Sequence, residues 1–166
     1  MGAAFWIVNA AGDTVSLASQ GYAAAKGEEL LFPSVAAGPE GNGIIAFTLT
    51  GADYFPSTAF GVISKGSNGL VHNTIYVADL GQAPQDGFTE YLCIATSSQC
   101  PPFSYRPRWG DYTWAVWSGG KIFFSSEYIQ YPACSDTAFV SDTTCGGTRD
   151  PFANWGTSLN SVSLGE

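Results

Sequence analysis

An internal repeat constrains this chain more than any other feature. With an ungapped shift of 77 residues, Phe32-Pro33-Ser34-Val35 falls on Trp109-Gly110-Asp111-Tyr112, and Gly43-Ile44-Ile45-Ala46-Phe47 falls on Gly120-Lys121-Ile122-Phe123-Phe124. In both copies a strand-like run leads through a Gly-rich turn into a second run. Gly38-Pro39-Glu40-Gly41-Asn42-Gly43 and Ser118-Gly119-Gly120 are hairpin chemistry, because such turns favour residues that accept positive φ. A third run recurs as well: residues 57–63 parallel residues 156–162, and the second copy carries 22 extra residues before it. Near the start, Ala4-Phe5-Trp6-Ile7-Val8 resembles Ala59-Phe60-Gly61-Val62-Ile63, and Thr14-Val15-Ser16-Leu17-Ala18 resembles Thr74-Ile75-Tyr76-Val77-Ala78.

Self-similarity of this kind marks repeat architectures, in which one supersecondary unit buries its faces against its neighbours. The chain reads as the last two strands of a unit, then a full unit, then the first three strands of another, about nine strands at four per blade. The expected fold is all-β: antiparallel, blade-like sheets forming a partial β-propeller, with a β-sandwich as the alternative. The 166 residues form one expected domain. Its units lie near 32–80 and 108–164, with an N-terminal strand pair at 4–19. Composition agrees, since 14% aromatic residues and 20 glycines suit short strands and tight turns.

Charge removes several function classes. Only 12% of residues are charged, and the net charge is −8. No basic patch is available to neutralise phosphates, so nucleic-acid binding is not expected. No apolar run is long enough to span a membrane. Residues 1–6 lack a basic segment and a long apolar core, so they do not read as a signal peptide. They read as a start placed inside or upstream of a mature domain.

Several segments carry a family resemblance: Phe32-Pro33-Ser34-Val35, Gly43-Ile44-Ile45-Ala46-Phe47-Thr48, Asp53-Tyr54-Phe55-Pro56-Ser57, Arg108-Trp109-Gly110-Asp111-Tyr112 and Asn154-Trp155-Gly156-Thr157. From about residue 20 onward the chain resembles the C-terminal part of uncharacterised secreted microbial proteins loosely related to sialidase-like β-propellers. The resemblance implies a propeller fold and an extracellular setting, and little chemistry. The sialidase Asp-box is absent as a full motif. Against the three arginines of that site the chain has only Arg106, Arg108 and Arg149, two of them close together in a Pro-rich turn, and Glu127 and Tyr128 are sequence neighbours. The sialidase site is therefore not carried over.

Four cysteines allow three pairings. Their order favours two local bridges, Cys93 with Cys100 and Cys134 with Cys145, each clipping a loop. A zinc site is the competing reading, but no C-x₂-C pair is present and His72 is distant. Disulfides indicate an oxidising, extracellular or secreted location.

The densest functional cluster is residues 105–112, where Arg106 and Arg108 lie among Tyr105, Trp109 and Tyr112. Arg108, Trp109, Tyr112 and, further on, Trp155 are candidate ligand contacts, with aromatic faces for sugar C–H groups and polar groups for hydroxyls. The structural alternative pairs Arg108 with Asp111 or Glu127 and uses Trp109 to fill space between blades. Asp111 and Glu127 are the candidate catalytic pair, because glycoside hydrolysis uses two carboxylates set about 5–10 Å apart. A structural carboxylate or a surface charge is the alternative there too. His72 reads as a loop histidine. Asp79, Asp86 and Glu90 can supply oxygen ligands to calcium but lack the dense spacing of a dedicated site; no other cofactor or metal is expected. The first expectation is a non-catalytic extracellular binding or structural module, with glycans as the expected ligand and self-association as the expected partner. The alternative is a glycosidase-type hydrolase.

Overall fold

The computed structural model describes residues 1–39, 41–64, 69–71, 75–85, 109–110, 113–135, 145 and 154–164. Among the described residues there are ten strands and no helix. They are β1 Ala3–Ala11, β2 Thr14–Ala23, β3 Glu28–Ala37, β4 Gly43–Gly51, β5 Ser57–Ile63, β6 Gly69–Val71, β7 Ile75–Asp79, β8 Trp114–Ser118, β9 Lys121–Ile129 and β10 Trp155–Val162.

They form three separate sheets, none closed on itself. The N-terminal sheet has the order β1-β2-β6, the middle sheet β3-β4-β5-β7 and the C-terminal sheet β10-β9-β8. In the middle and C-terminal sheets each strand pairs antiparallel with the next strand of its own sheet, a meander that in the middle sheet skips β6 between β5 and β7. One ladder departs from the antiparallel expectation: β6 pairs with β2 in parallel. The chain leaving β5 contributes β6 to the N-terminal sheet before returning to the middle sheet as β7, and this crossover sets the parallel direction.

β4 lies at the centre of the stack. Its first seven residues are all buried, so it is covered on both faces. Successive side chains of a strand point to opposite sides, and β4 divides accordingly. Ile45, Phe47 and Leu49 pack with Ala3, Phe5 and Ala23 of the N-terminal sheet. Ile44 and Ala46 pack with Ile122 and Phe124 of β9. Beside them, Trp117 of β8 lies where a side chain at Gly38 would stand, 2.9 Å from its ideal Cβ position. The order of layers is therefore N-terminal sheet, middle sheet, C-terminal sheet, and each adjacent pair is packed in the manner of a sandwich.

The sequence shift matches faces as well as residue types. Ile45 and Phe47, which face the N-terminal sheet, align at 77 with Ile122 and Phe124, which face the middle sheet. The second unit thus meets the first as the first meets the N-terminal sheet. β4 and β9 also run in the same direction. Ile44 and Ala46 lie with Ile122 and Phe124 at one end, and the Thr48 and Ser126 hydroxyls bond at 2.8 Å further along.

The first strand of the second unit begins later than the repeat suggests. Trp109 and Gly110 precede β8, which starts at Trp114. Gly110 has φ of 81°, a left-handed conformation that interrupts an extended run. Opposite, β3 carries a bulge between Leu31 and Ser34. The bulge moves Val35 onto the same face as Ile45 and Ala36 onto the face of Ile44.

Candidate functional site

Past the apolar cluster, the seam between the middle and C-terminal sheets becomes polar. Thr48 accounts for most of it. Its Oγ1 donates to the Glu127 carbonyl at 2.9 Å, shares the bond with Ser126 Oγ, and accepts from the Trp109 indole N–H at 3.3 Å. Thr58 Oγ1 donates to the Ser126 carbonyl at 3.3 Å. Thr48, Thr58 and Ser126 are fully buried. Hydroxyls at such depth are tolerated because each has a partner.

On the other face of β9, Glu127 is only 8% exposed. Its Oε2 accepts the backbone N–H of Gly110 at 2.7 Å. That contact holds the segment entering β8 against β9. The ring of Phe32 also sits against Gly110, its Cδ2 filling the place a Cβ would occupy. Phe32 itself has φ of 51°. A left-handed, non-glycine residue directly before proline is uncommon, and the bulge in β3 is what holds it there. The Phe32 ring remains 46% exposed.

The structure thus brings two of the sequence-derived candidates, Trp109 and Glu127, to one end of this seam. Trp109 is half-buried and anchored by its N–H to Thr48, so its polar edge points inward. Trp155 is half-buried at the start of β10, paired with Ile129 on the far side of β9 from β8. Arg108, Asp111 and Tyr112 lie outside the described residues, as do His72, Asp86, Glu90, Cys93 and Cys100. Glu127 and Tyr128 point to opposite faces of β9, as strand alternation requires.

Asp79, the described member of the calcium candidates, ends β7. Its carboxylate accepts from Asn160 Nδ2 at 2.8 Å and from the Ser158 hydroxyl. Both partners are on β10, so the carboxylate ties the last strand of the middle sheet to the C-terminal sheet. No group of three or more His, Cys, Asp or Glu suited to a metal ion occurs among the described residues. Burial, and then the nearby Asp79 carboxylate and Tyr131, raise the Tyr128 phenol above its ordinary pKa. Cys134 and Cys145 form a disulfide across a Cα–Cα distance of 6.1 Å, as their spacing suggested. Neither thiol is then available to zinc. Among the described residues no helix is long and apolar enough to cross a membrane.

A cleft of 390 Å³ lies elsewhere, between β1 and the β3–β4 hairpin. Phe5, Trp6, Ile7, Pro33, Val35 and Ile45 line it, and its walls are mostly apolar.

The sequence did not single out Phe32, Thr48 or Ser126 as site residues. Thr48 and Ser126 carried a readable signal: each is a hydroxyl that follows two apolar residues at alternate positions, Ile44 and Ala46 in one case and Ile122 and Phe124 in the other. Comparison with protein-family models, with curated proteins and with solved structures gave no match.

Proposed function

We propose that this chain is a blade-built binding or structural module of an extracellular protein, with glycans as its ligand and self-association as its working form. The observation that carries the ligand reading is the meeting of Phe32, Trp109 and Glu127 at one end of the seam. An exposed aromatic ring is held in a strained conformation beside a buried carboxylate, and unusual backbone geometry of that kind clusters at ligand sites. The neighbouring residues, Arg108, Asp111 and Tyr112, supply polar and aromatic groups in sequence. Sugars bind to this combination by stacking C–H faces on rings and bonding hydroxyls to charged groups. The Cys134–Cys145 disulfide supports an oxidising location.

The sheets are taken as propeller blades, and the sialidase-like kinship belongs to the same proposal. The runner-up remains a glycosidase using Asp111 and Glu127. It draws support from the burial of Glu127 and its contact with Gly110, the residue before Asp111.

Titration with neutral and acidic oligosaccharides, followed by tryptophan fluorescence, tests the proposal. Phe32→Ala is expected to weaken binding by about tenfold, equivalent to ~1.4 kcal/mol. Absence of any saturable glycan response in the native protein would remove the glycan reading. Turnover of chromogenic glycosides that disappears in Glu127→Gln would instead establish the hydrolase.

A further inference from the structure

The outer face of the N-terminal sheet is patterned against expectation. Beyond Ile7 the β1–β2 hairpin projects as a two-stranded ribbon, exposed on both sides except at the half-buried Ser19. Register places Trp6, Val8, Val15, Leu17 and Tyr22 on one side and Asn9, Thr14 and Ser16 on the other. The polar side continues the face that packs on the middle sheet. The apolar side points away from the protein: Trp6 is 62% exposed, Val8 54% and Leu17 58%. A two-stranded ribbon alone in water is marginal, and one with its apolar side uncovered is built to be covered.

The opposite end of the stack has a matching surface. On the outer face of the C-terminal sheet, Trp114 is 66% and Leu159 79% exposed, with Val116 and Phe123 beside them. The register pairs Trp114 and Leu159 with Ser125 from either side, and Val116 with Phe123, so these side chains form one patch.

We propose that a second copy of this chain covers that patch with the outer face of its own N-terminal sheet, so that copies join head to tail. The inference rests on the self-association in the blade reading and names the surfaces that carry it. The repeat decides the orientation. At both junctions inside the chain, a sheet presents its trailing face to the leading face of the next, and the leading faces correspond at the shift of 77. Among the described residues the two faces with no sheet packed on them are one leading face, on the N-terminal sheet, and one trailing face, on the C-terminal sheet. Joining them repeats a contact the chain already makes twice. Joining like faces creates a contact it makes nowhere.

Charge agrees with this orientation. The outward residues of β1 and β2 are uncharged, which lowers repulsion in a chain of net charge −8. Asp13 in the β1–β2 turn and Lys121 after the β8–β9 turn are both exposed. Both turns lie at the end of the stack marked by the β3–β4 turn. The cleft there joins Ile7 to Gly41 and Gly43, and Trp117 meets Gly38. Continuing the stack sets the β1–β2 turn of one copy and the β8–β9 turn of the next at the same end, with the uncharged face of the ribbon projecting past Lys121. Two copies supply six sheets, inside the range of about four to eight at which blade rings close. Closure removes the open ends that would otherwise propagate a filament.

Complementation tests the inference. One variant carries Val8→Glu with Leu17→Glu, the other Val116→Glu with Phe123→Glu; all four positions are exposed, and circular dichroism checks that both fold. Light scattering after size exclusion should show the native protein at two or more times 17.5 kDa and each variant alone at 17.5 kDa. An equimolar mixture of the two variants should recover a two-copy species, since one good junction remains. The control Asn9→Glu with Ser16→Glu, on the polar side of the ribbon, should keep the native mass. Variants that still pair with themselves would overturn the head-to-tail junction while leaving self-association intact. A native protein that stays at 17.5 kDa at its highest soluble concentration would overturn self-association itself.

Discussion

Phe47→Ala is expected to lower the unfolding free energy by about 3–5 kcal/mol, the usual cost of truncating a fully enclosed phenylalanine. Phe47 has no exposed surface and sits in the strand that both neighbouring sheets cover. Its removal opens a cavity between the middle and N-terminal sheets. β4 and its neighbour β5 are each paired on both sides, which limits how far the strands can close on it. Phe123→Ala is the comparison. That ring is 39% exposed on the outer face of the C-terminal sheet. In a monomeric preparation its loss should cost less than about 1 kcal/mol. Denaturant titration reads both values. Similar losses at the two positions would mean that β4 is not the centre of the stack.

Gly110→Ala should be the most damaging small substitution at the candidate site. The backbone at φ of 81° costs about 1–3 kcal/mol for a residue with a side chain. The new methyl group would also lie inside the Phe32 ring, which must swing out. Displacement of either partner endangers the N–H bond to Glu127, and with it the path of the segment entering β8. The two costs are separable. In a Phe32→Ala background the steric part disappears and the backbone part remains, so the loss at Gly110 should shrink without vanishing. An equal loss in both backgrounds would show that the ring does not rest on Gly110.

The all-β class and the meander of the two units were legible because they depend on local chemistry. Gly119-Gly120 can turn tightly, and the runs on either side are rich in aromatic and β-branched residues. The match of Ile45 with Ile122 and of Phe47 with Phe124 also carried tertiary information. A repeat that packs on itself must use equivalent faces, and the sequence shift preserved them. The local Cys134–Cys145 bridge was readable for a similar reason, since a short separation keeps its geometry simple.

Other features were hidden. β6 has three residues, and nothing in Gly69-Leu70-Val71 says that it joins a sheet other than that of the strands on either side. β8 starts later than the repeat implies because backbone conformation at Gly110 breaks the repeat, which residue type alone does not reveal. The role of Phe32 depends on a bulge, which is a property of pairing. Trp109 and Glu127 were recognisable as unusual residues in sequence. Trp109 reaches Thr48 only when the two sheets meet, 61 residues apart, and Gly110 reaches Glu127, 17 residues on, only when the segment before β8 folds against β9.

The central claim is that the two units stack as a parallel repeat, β4 against β9 with both strands running the same way. A designed cross-link tests this most directly. The Thr48 and Ser126 hydroxyl oxygens are 2.8 Å apart, although the residues are separated by 78 positions. With Thr48→Cys and Ser126→Cys introduced together, mild oxidation followed by non-reducing peptide mapping should find the two new thiols joined within a single chain, at a yield independent of protein concentration. Two free thiols in the folded protein, or pairing of either one with a different partner, would contradict the stack.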